Sequence, residues 1–390
     1  MSDSFTETTT ISWFSRIKSA LIGIVIGLAL VVGSIAGIFW NEHRAVQTAR
    51  SLAQGRGLVV DVDAQKPDPA NNAKLVHVAG TASVTQPLLD ADFGVSATAL
   101  RLRRIAEMYQ WKEEEKTETT KNAGGSETKT TTYTYAKTWS AEQIDSGRFR
   151  HPQDHGNPAK TIAGRDFFAQ DAKLGGFALD QMLLAKLPDD QRLAVPQDIA
   201  ASLKTKNPDA QVSGDGIYIG QNPAEPRIGD VRISYQLTPA GALSVIAAQS
   251  GTGFQPFQTE AGDKLELIRP GIMAAPQMFA AAEEENTILT WALRAALMIA
   301  IWIGSFLCVR PLAVFADLIP FIGSMVGFGL GFIALLATLI IAPVAIAIAW
   351  FAFRPVAAVA VLVVGALLFV GLHRLRAGRT AKPAAAQPAR

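Results

Sequence analysis

Cysteine is all but missing from this chain: Cys308 is the only one in 390 residues. An intrachain disulfide is therefore excluded, as are zinc or iron–sulfur centres built from several thiolates. Charge is scarce too. Asp, Glu, Lys and Arg make up 18% of the residues, below the quarter or so usual for soluble domains. The deficit sits in one N-terminal run and in the C-terminal quarter, which excludes a soluble cytosolic enzyme. Neither sign dominates, with 36 Lys and Arg against 34 Asp and Glu. The basic surface needed for phosphate contacts is thus lacking, and nucleic acid is not an expected partner. Catalytic signatures are missing as well: no H-E-x-x-H, no Walker loop and no G-x-S-x-G. Gly251-Thr-Gly253 lacks the third glycine of a dinucleotide fingerprint. The polar region holds no Asn-x-Ser/Thr sequon. No catalytic residue, metal site or cofactor is expected.

What the sequence has is long apolar runs. No charge occurs between Lys18 and Glu42, a length that spans a bilayer as a helix. Arg16 and Lys18 precede the run, and it ends in Phe39-Trp40-Asn41-Glu42 without an A-x-A pattern. It reads as an uncleaved signal anchor. Residues 295–309 are apolar behind Trp291 and Arg294, and Arg294 is within snorkelling reach of the interface. Arg310 and Asp317 mark a polar break. Residues 318–353 carry no charge, Arg354-Pro355 interrupts, and residues 356–372 are apolar again. A turn is expected at Phe353-Arg354-Pro355, with Ala342-Pro343 as the alternative position. Arg374, Arg376, Arg379, Lys382 and Arg390 make the tail basic, so both chain ends are expected in the cytoplasm.

The expected fold is an integral membrane protein with four transmembrane α-helices, one plus three, and a large α+β extracytoplasmic domain containing β-hairpins. The segments are a polar N-terminal tail (1–15), a first span (16–40), the domain (41–290), spans at 291–310, 318–353 and 354–373, and a basic cytoplasmic tail (374–390). Gly23, Gly27, Gly33 and Gly37 share one helix face, and Gly323, Gly327 and Gly331 form a second ridge. Both suit close helix packing, within one chain or between chains.

In the polar region, residues 74–80, 216–219 and 231–235 read as strands, the last with Val231, Ile233 and Tyr235 alternating with polar residues. Pro239-Ala-Gly241 before 243–248 predicts a hairpin. A second, longer hairpin runs from 101–111 through a Thr-, Lys- and Glu-rich stretch to a tip at Asn122-Ala-Gly-Gly125. It returns over 128–139 with Tyr133, Tyr135 and Trp139 at period two. Residues 113–129 suit either projecting strands or a disordered loop. Helical pieces are expected at 44–54, 164–173, 176–186 and 197–204. His151 and His155 flank Asp154, but Pro152 opposes a helix and no third ligand is evident, so an exposed polar loop is expected. Glu283-Glu-Glu285 reads as a charged collar before the second span, or as a cation-attracting ring in an oligomer. No ionisable residue lies near a span centre, which weighs against active transport.

Several stretches together point to a family. They are Trp40-Asn-Glu-His-Arg-Ala-Val-Gln-Thr-Ala-Arg-Ser-Leu52, Leu102-Arg-Arg-Ile-Ala-Glu-Met-Tyr-Gln-Trp111, Asn222-Pro223, Ile228-Gly-Asp-Val-Arg-Ile-Ser234 and Phe353-Arg-Pro355. In this order they resemble the transmembrane protein 43 (LUMA) family over nearly the whole chain, departing from it at His43, where members often carry glycine. The resemblance implies one span, a large lumenal domain and three closing spans. It implies signature positions at Asn41, Glu42, Arg44, Arg103, Arg104, Glu107, Tyr109, Trp111, Asn222, Pro223, Gly229, Asp230, Arg354 and Pro355, none of them catalytic. It also implies a protein that helps organise membrane protein complexes. The glycine ridges, the projecting hairpin and the missing catalytic set lead to the expectation of a non-enzymatic scaffold that acts through its outer domain and homo-oligomerisation. The expected partners are the lipid bilayer, further copies of the chain and other membrane proteins. The setting is the endoplasmic reticulum or inner nuclear membrane in animals, or the inner membrane with a periplasmic domain in bacteria. The tail Pro383-Ala-Ala-Ala-Gln-Pro388 points to a bacterial source. A passive channel or pore subunit is the alternative function, followed by a membrane enzyme built on the Asp154 and His155 loop.

Overall fold

The computed structural model describes residues 3–189, 191–356, 358–360 and 363. Its main elements, in chain order, are β1 (Asp3–Ile11), α1 (Trp13–Leu58), β2 (Leu75–Ser83), β3 (Arg101–Lys121) and β4 (Glu127–Ser140). They continue with β5 (Gly216–Ile219), β6 (Val231–Thr238), β7 (Ala242–Ser250), β8 (Leu267–Pro270), α2 (Ala275–Ala316) and α3 (Pro320–Phe353). These divide into a β unit and a helical unit. The β unit comprises Met1–Ile11, Arg50–Lys121 and Glu127–Glu284; the helical unit comprises Ser12–Ala49, Asn122–Ser126 and the chain from Glu285 onward.

The β unit holds two large sheets. In the first, β1, β4, β3, β6 and β5 lie side by side, with Ala210–Ser213 beyond β5 and the short strands Arg165–Phe168 and Gln191–Leu193 pairing with β3 and β6. In the second, β7 pairs antiparallel with β2 from Ala242↔Thr81 to Ala248↔Leu75, and β8 also pairs with β7. One core packs Leu102, Ala106 and Met108 of β3 against Ile217, Ile233 and Tyr235. A second packs Val76 and Val78 against Val245, Leu174 and Phe177. A third joins Leu52, near the end of α1, to Leu75, Ile246, Leu265 and Phe279. The alternation of apolar and polar residues in β6 thus separates a buried face from a solvated one.

Four local expectations change. Residues 164–173 form no helix: Arg165–Phe168 is a strand, because β3 offers a free edge there from Arg101 to Arg104. Within 176–186 the helix is limited to Gln181–Leu184, after a two-residue strand at Phe177–Ala178. Pro239-Ala-Gly241 does not close a hairpin: β6 and β7 belong to different sheets. The polar N-terminal segment holds β1, which pairs with β4 from Asp3↔Tyr135 to Ile11↔Glu127.

The helical unit is built on α1, α2 and α3, the three described helices long and apolar enough to cross a membrane. Four spans were expected; the greater part of 354–373, and the basic tail, lie outside the described residues. Helix α1 passes well beyond its apolar run, since 41–58 contain no proline and are mostly Ala, Leu, Arg, Gln and Glu, with glycine only at its end. Likewise α2 begins ahead of its own apolar run, with Glu283, Glu284 and Glu285 inside the helix. Helix α3 absorbs Pro343 and stops at Phe353, where the Arg354 amide donates to the Trp350 carbonyl at 2.7 Å. Ile38, Ile301, Ala342 and Ala345 form its core.

The glycines are used unequally. A Cβ on Gly27 would lie 2.5 Å from the Gly304 carbonyl oxygen, and one on Gly304 would lie 2.7 Å from that of Gly27. Here α1 and α2 touch backbone to backbone, as small residues allow in membranes. Gly37 faces Leu297, Gly23 faces Leu307 and Gly323 faces Asp317, while a Cβ on Gly33, Gly327 or Gly331 would meet nothing within 4 Å among the described residues; the Gly331 carbonyl accepts from the Trp302 indole at 3.0 Å.

Candidate functional site

Three polar clusters contain the residues singled out from the sequence or hold them in place. The first lies in the helical unit, where α1 leaves its apolar run. Glu42 is fully buried and accepts from Arg294 Nε at 2.6 Å and from the Trp350 indole at 3.0 Å, so one carboxylate ties α1 to α2 and α3. The Arg294 guanidinium also lies over the rings of Trp291 (4.6 Å) and Trp350 (5.7 Å), a cation–π setting. Asn41 donates to the Thr290 carbonyl at 3.1 Å. Arg44 donates to Asn286 Oδ1 and to Thr290 Oγ1, both at 2.9 Å. Arg354 caps α3 and Pro355 follows it. Arg294 does not snorkel: its side chain is buried because the carboxylate across the interface satisfies it better than a reach toward water.

The second cluster lies at the other end of the same helices. Arg16 is buried against Asp317 and also donates to the Gly125 carbonyl. The Gly124 amide donates to the Leu318 carbonyl at 3.2 Å, and the Trp13 indole to that of Val314 at 2.9 Å. Gly124 and Gly125 both adopt φ of +82°, and a Cβ on Gly125 would strike the Trp13 ring. The expected hairpin tip is thus a part of the helical unit.

The third cluster lies in the β unit and joins three signature stretches. Tyr109 exchanges backbone hydrogen bonds with Gly229 and Asp230 (2.9 and 2.8 Å). The Asp230 carboxylate accepts from the Tyr218 hydroxyl at 2.5 Å, and that hydroxyl lies 3.1 Å from the Asn222 carbonyl. Burial, then the bond to Asp230, pushes the Tyr218 phenol well above its usual range. Pro223 lines the adjoining groove with Trp139 and Arg232. Glu107 pairs with Arg232 across β3 and β6 at 2.7 Å. Arg103 and Arg104 point to opposite faces of β3. Arg103 meets Asp166 and Asp189; Arg104 meets Asp92 and the fully buried Asp90, which also accepts from the Tyr235 hydroxyl at 2.7 Å. Trp111 is held through its backbone by Asn157 (2.7 and 2.9 Å).

His155 is buried, not exposed: its ring stacks on Tyr135 with centroids 3.8 Å apart and meets Trp111 edge-on. His151 packs against Phe5. Among the described residues no group of three His, Cys, Asp or Glu could hold a metal ion. Glu283 pairs with Arg56 at 2.7 Å instead of standing free in a collar. Sequence reasoning missed the partners: Arg294 as a buried ion, Trp350, Asn286, Thr290, Asp317, Asn157 and Tyr218. The helical pattern held one signal, since Arg294, Leu297 and Ile301 recur on a single face of α2.

These clusters hold the chain to itself, carboxylate to guanidinium and amide to carbonyl. They define a polytopic membrane protein with a large β-rich domain. Comparison with known proteins agrees. A profile of the family described as Transmembrane protein 43 matches residues 108–355. Transmembrane protein 43 of Mus musculus is 33% identical over 356 residues, 88% of this chain and 87% of its own. The Homo sapiens protein is 33% identical over 357 residues with the same coverage. The Drosophila melanogaster homolog is 25% identical over 364 residues, 89% of this chain and 93% of its own. No solved structure matches. The chain belongs to the Transmembrane protein 43 family.

Proposed function

We propose that this chain is a non-enzymatic membrane scaffold that assembles with copies of itself and organises other membrane proteins through its β unit. One observation carries the reading. Gly27 of the first glycine ridge is engaged inside the chain, against Gly304, but a Cβ on Gly327 or Gly331 of α3 would meet nothing within 4 Å among the described residues, and Phe328 beside them is 83% exposed, while the Gly331 carbonyl accepts from the Trp302 indole at 3.0 Å. Small residues beside an exposed aromatic suit a further membrane helix. The flanking Arg16 and Lys18 support a cytoplasmic location for residues 12–18 and an extracytoplasmic domain, in the endoplasmic reticulum or inner nuclear membrane of an animal cell or the inner membrane of a bacterium. Chemical cross-linking of the full chain in native membranes tests the assembly. Cross-linked multimers that disappear in Gly327→Leu with Gly331→Leu support it; a chain that never cross-links to itself contradicts it.

A second reading, a passive pore subunit, draws support from a different feature. The outer halves of β3 and β4, with β1, form a ribbon of Thr, Glu and Lys, and the loop at its end belongs to the helical unit. Conductance of the purified chain in planar bilayers supports this reading, and its absence counts against it.

A further inference from the structure

We infer that the free edge of β1 docks the β1 strand of a second copy, the two strands pairing antiparallel about a two-fold axis at Thr8. Strand β1 pairs with β4 at each of its nine residues, from Asp3↔Tyr135 to Ile11↔Glu127, without a bulge. Among the described strands it pairs with β4 alone. Every second residue therefore turns its amide and carbonyl away from β4. A row of such groups about 30 Å long is a template for another strand.

Folded proteins commonly guard an edge of this kind with lysine, proline or a bulge. The opposite edge of the same ribbon is guarded by charge. From Lys112 to Lys121, β3 pairs with β4 alone, and seven of these ten residues are charged, four of them glutamate. Strand β1 has no such guard. It contains no lysine, arginine, proline or glycine. Its charged residues are Asp3 and Glu7, and Glu7 is paired with Arg150 at 2.7 Å within the β unit. Phe5, four threonines and Ile11 fill most of the rest, residue types that favour a strand.

The order of these residues selects the occupant. Around Thr8 the strand reads nearly alike in both directions. An antiparallel copy centred there sets Phe5 opposite Ile11, Thr6 opposite Thr10, Glu7 opposite Thr9 and Thr8 opposite itself. Facing residues of an antiparallel pair interact on one side of the sheet, so apolar meets apolar and threonine meets threonine. Phe5, 39% exposed in the single chain, gains cover. Centring at Glu7 sets two glutamates face to face, and centring at Thr9 sets Glu7 against Ile11; both are unfavourable. The guarded edge of β3 is a poor partner as well, since its four glutamates would lie along Asp3 and Glu7. The two-fold contact is isologous and closes at two copies. Nine residues of edge make a small contact, so the pairing rests on the self-assembly proposed above, which gathers the copies in one membrane and raises their effective concentration.

Cysteines placed in a full-length Cys308→Ser chain, reconstituted at many chains per vesicle, test the pairing. The thiol cross-linker spans about 8 Å, a little more than the gap between facing residues. Thr8→Cys is expected to give covalent dimers. Thr6→Cys alone is expected to lose them, because its two copies lie about 14 Å apart along the strands. Thr6→Cys with Thr10→Cys is expected to restore them, and this pair also serves should Thr8→Cys disturb the ladder with β4. No dimer from either, in a chain that still forms multimers by the Gly327- and Gly331-dependent test, overturns the β1 pairing and leaves self-assembly standing. A chain with neither dimers nor multimers overturns both. Linking by Thr6→Cys as readily as by Thr8→Cys overturns the register. Links between Thr8→Cys and Lys116→Cys copies mixed in one vesicle, without Thr8→Cys dimers, make β3 the occupant and overturn the two-fold contact.

Discussion

Glu42 on α1 and Arg294 on α2 meet at 2.6 Å, with side chains 0% and 6% exposed. A pair this withdrawn from water is costly to form and costlier to break, because removing one partner leaves the other charge buried. The contact fixes how far α1 and α2 slide past each other, and Trp350 brings α3 to the same carboxylate.

Glu42→Ala and Arg294→Ala are each expected to destabilise the full chain by about 3–5 kcal/mol, and the double variant by less than the sum. Arg294→Lys restores little, since an ammonium lacks the planar fork that lies over Trp291 and Trp350. Unfolding in nanodiscs, read as a double-mutant cycle, checks this; additive losses would contradict it.

Gly27→Leu is expected to separate α1 from α2, since its side chain would meet the backbone oxygen of Gly304 and Leu307 Cβ. Overpacking of this kind costs about 1–3 kcal/mol. Gly33→Leu, in open space among the described residues, is expected to stay within about 0.5 kcal/mol. Thermal denaturation of the two variants side by side distinguishes the engaged glycine from the open one.

Asp166 supplies an acid limb. Burial raises its carboxyl, but the hydrogen bond from Arg103 and the charge of Arg101 outweigh this and hold it below its ordinary value of 3.8. A depressed carboxylate contributes stability above that value and loses it as pH falls through the folded-state pKa. Melting temperature is expected to drop as pH falls through about 4 and below, with a shallower drop in Asp166→Asn. Equal slopes would contradict the assignment.

Tyr218 supplies the alkaline counterpart. Burial and the Asp230 carboxylate raise its phenol, so its contribution is complete below the unfolded value near 10 and is lost as pH rises past it. Tyr218→Phe is expected to leave tyrosinate absorbance between about pH 9 and 11 unchanged. Loss of one tyrosine's amplitude in that window would show that the phenol is free.

The membrane helices were legible because hydropathy acts locally: a charge-free run of sufficient length has few other fates. The long hairpin was legible at its tip, where Asn122-Ala-Gly-Gly125 supplies the glycines that positive φ requires. Long-range pairing was not legible. Arg165–Phe168 is a strand only because β3 leaves an edge open there, and β6 and β7 part company after Pro239 because their partners lie more than a hundred residues upstream. At the site, Asn41, Glu42 and Arg44 stood out through family resemblance, but Asn286, Thr290, Arg294 and Trp350 did not. A lone arginine at the edge of an apolar run reads alike whether it reaches for water or for a carboxylate. Its alignment with Leu297 and Ile301, and that of Ile38 with Glu42, is what separates the two cases.

Self-assembly is the central claim, and native mass spectrometry of the full chain in lipid nanodiscs tests it most directly. The account expects two or more copies per disc, falling to one in Gly327→Leu with Gly331→Leu while the fold is retained. A single copy per disc for the unaltered chain, at every protein-to-lipid ratio, would contradict it.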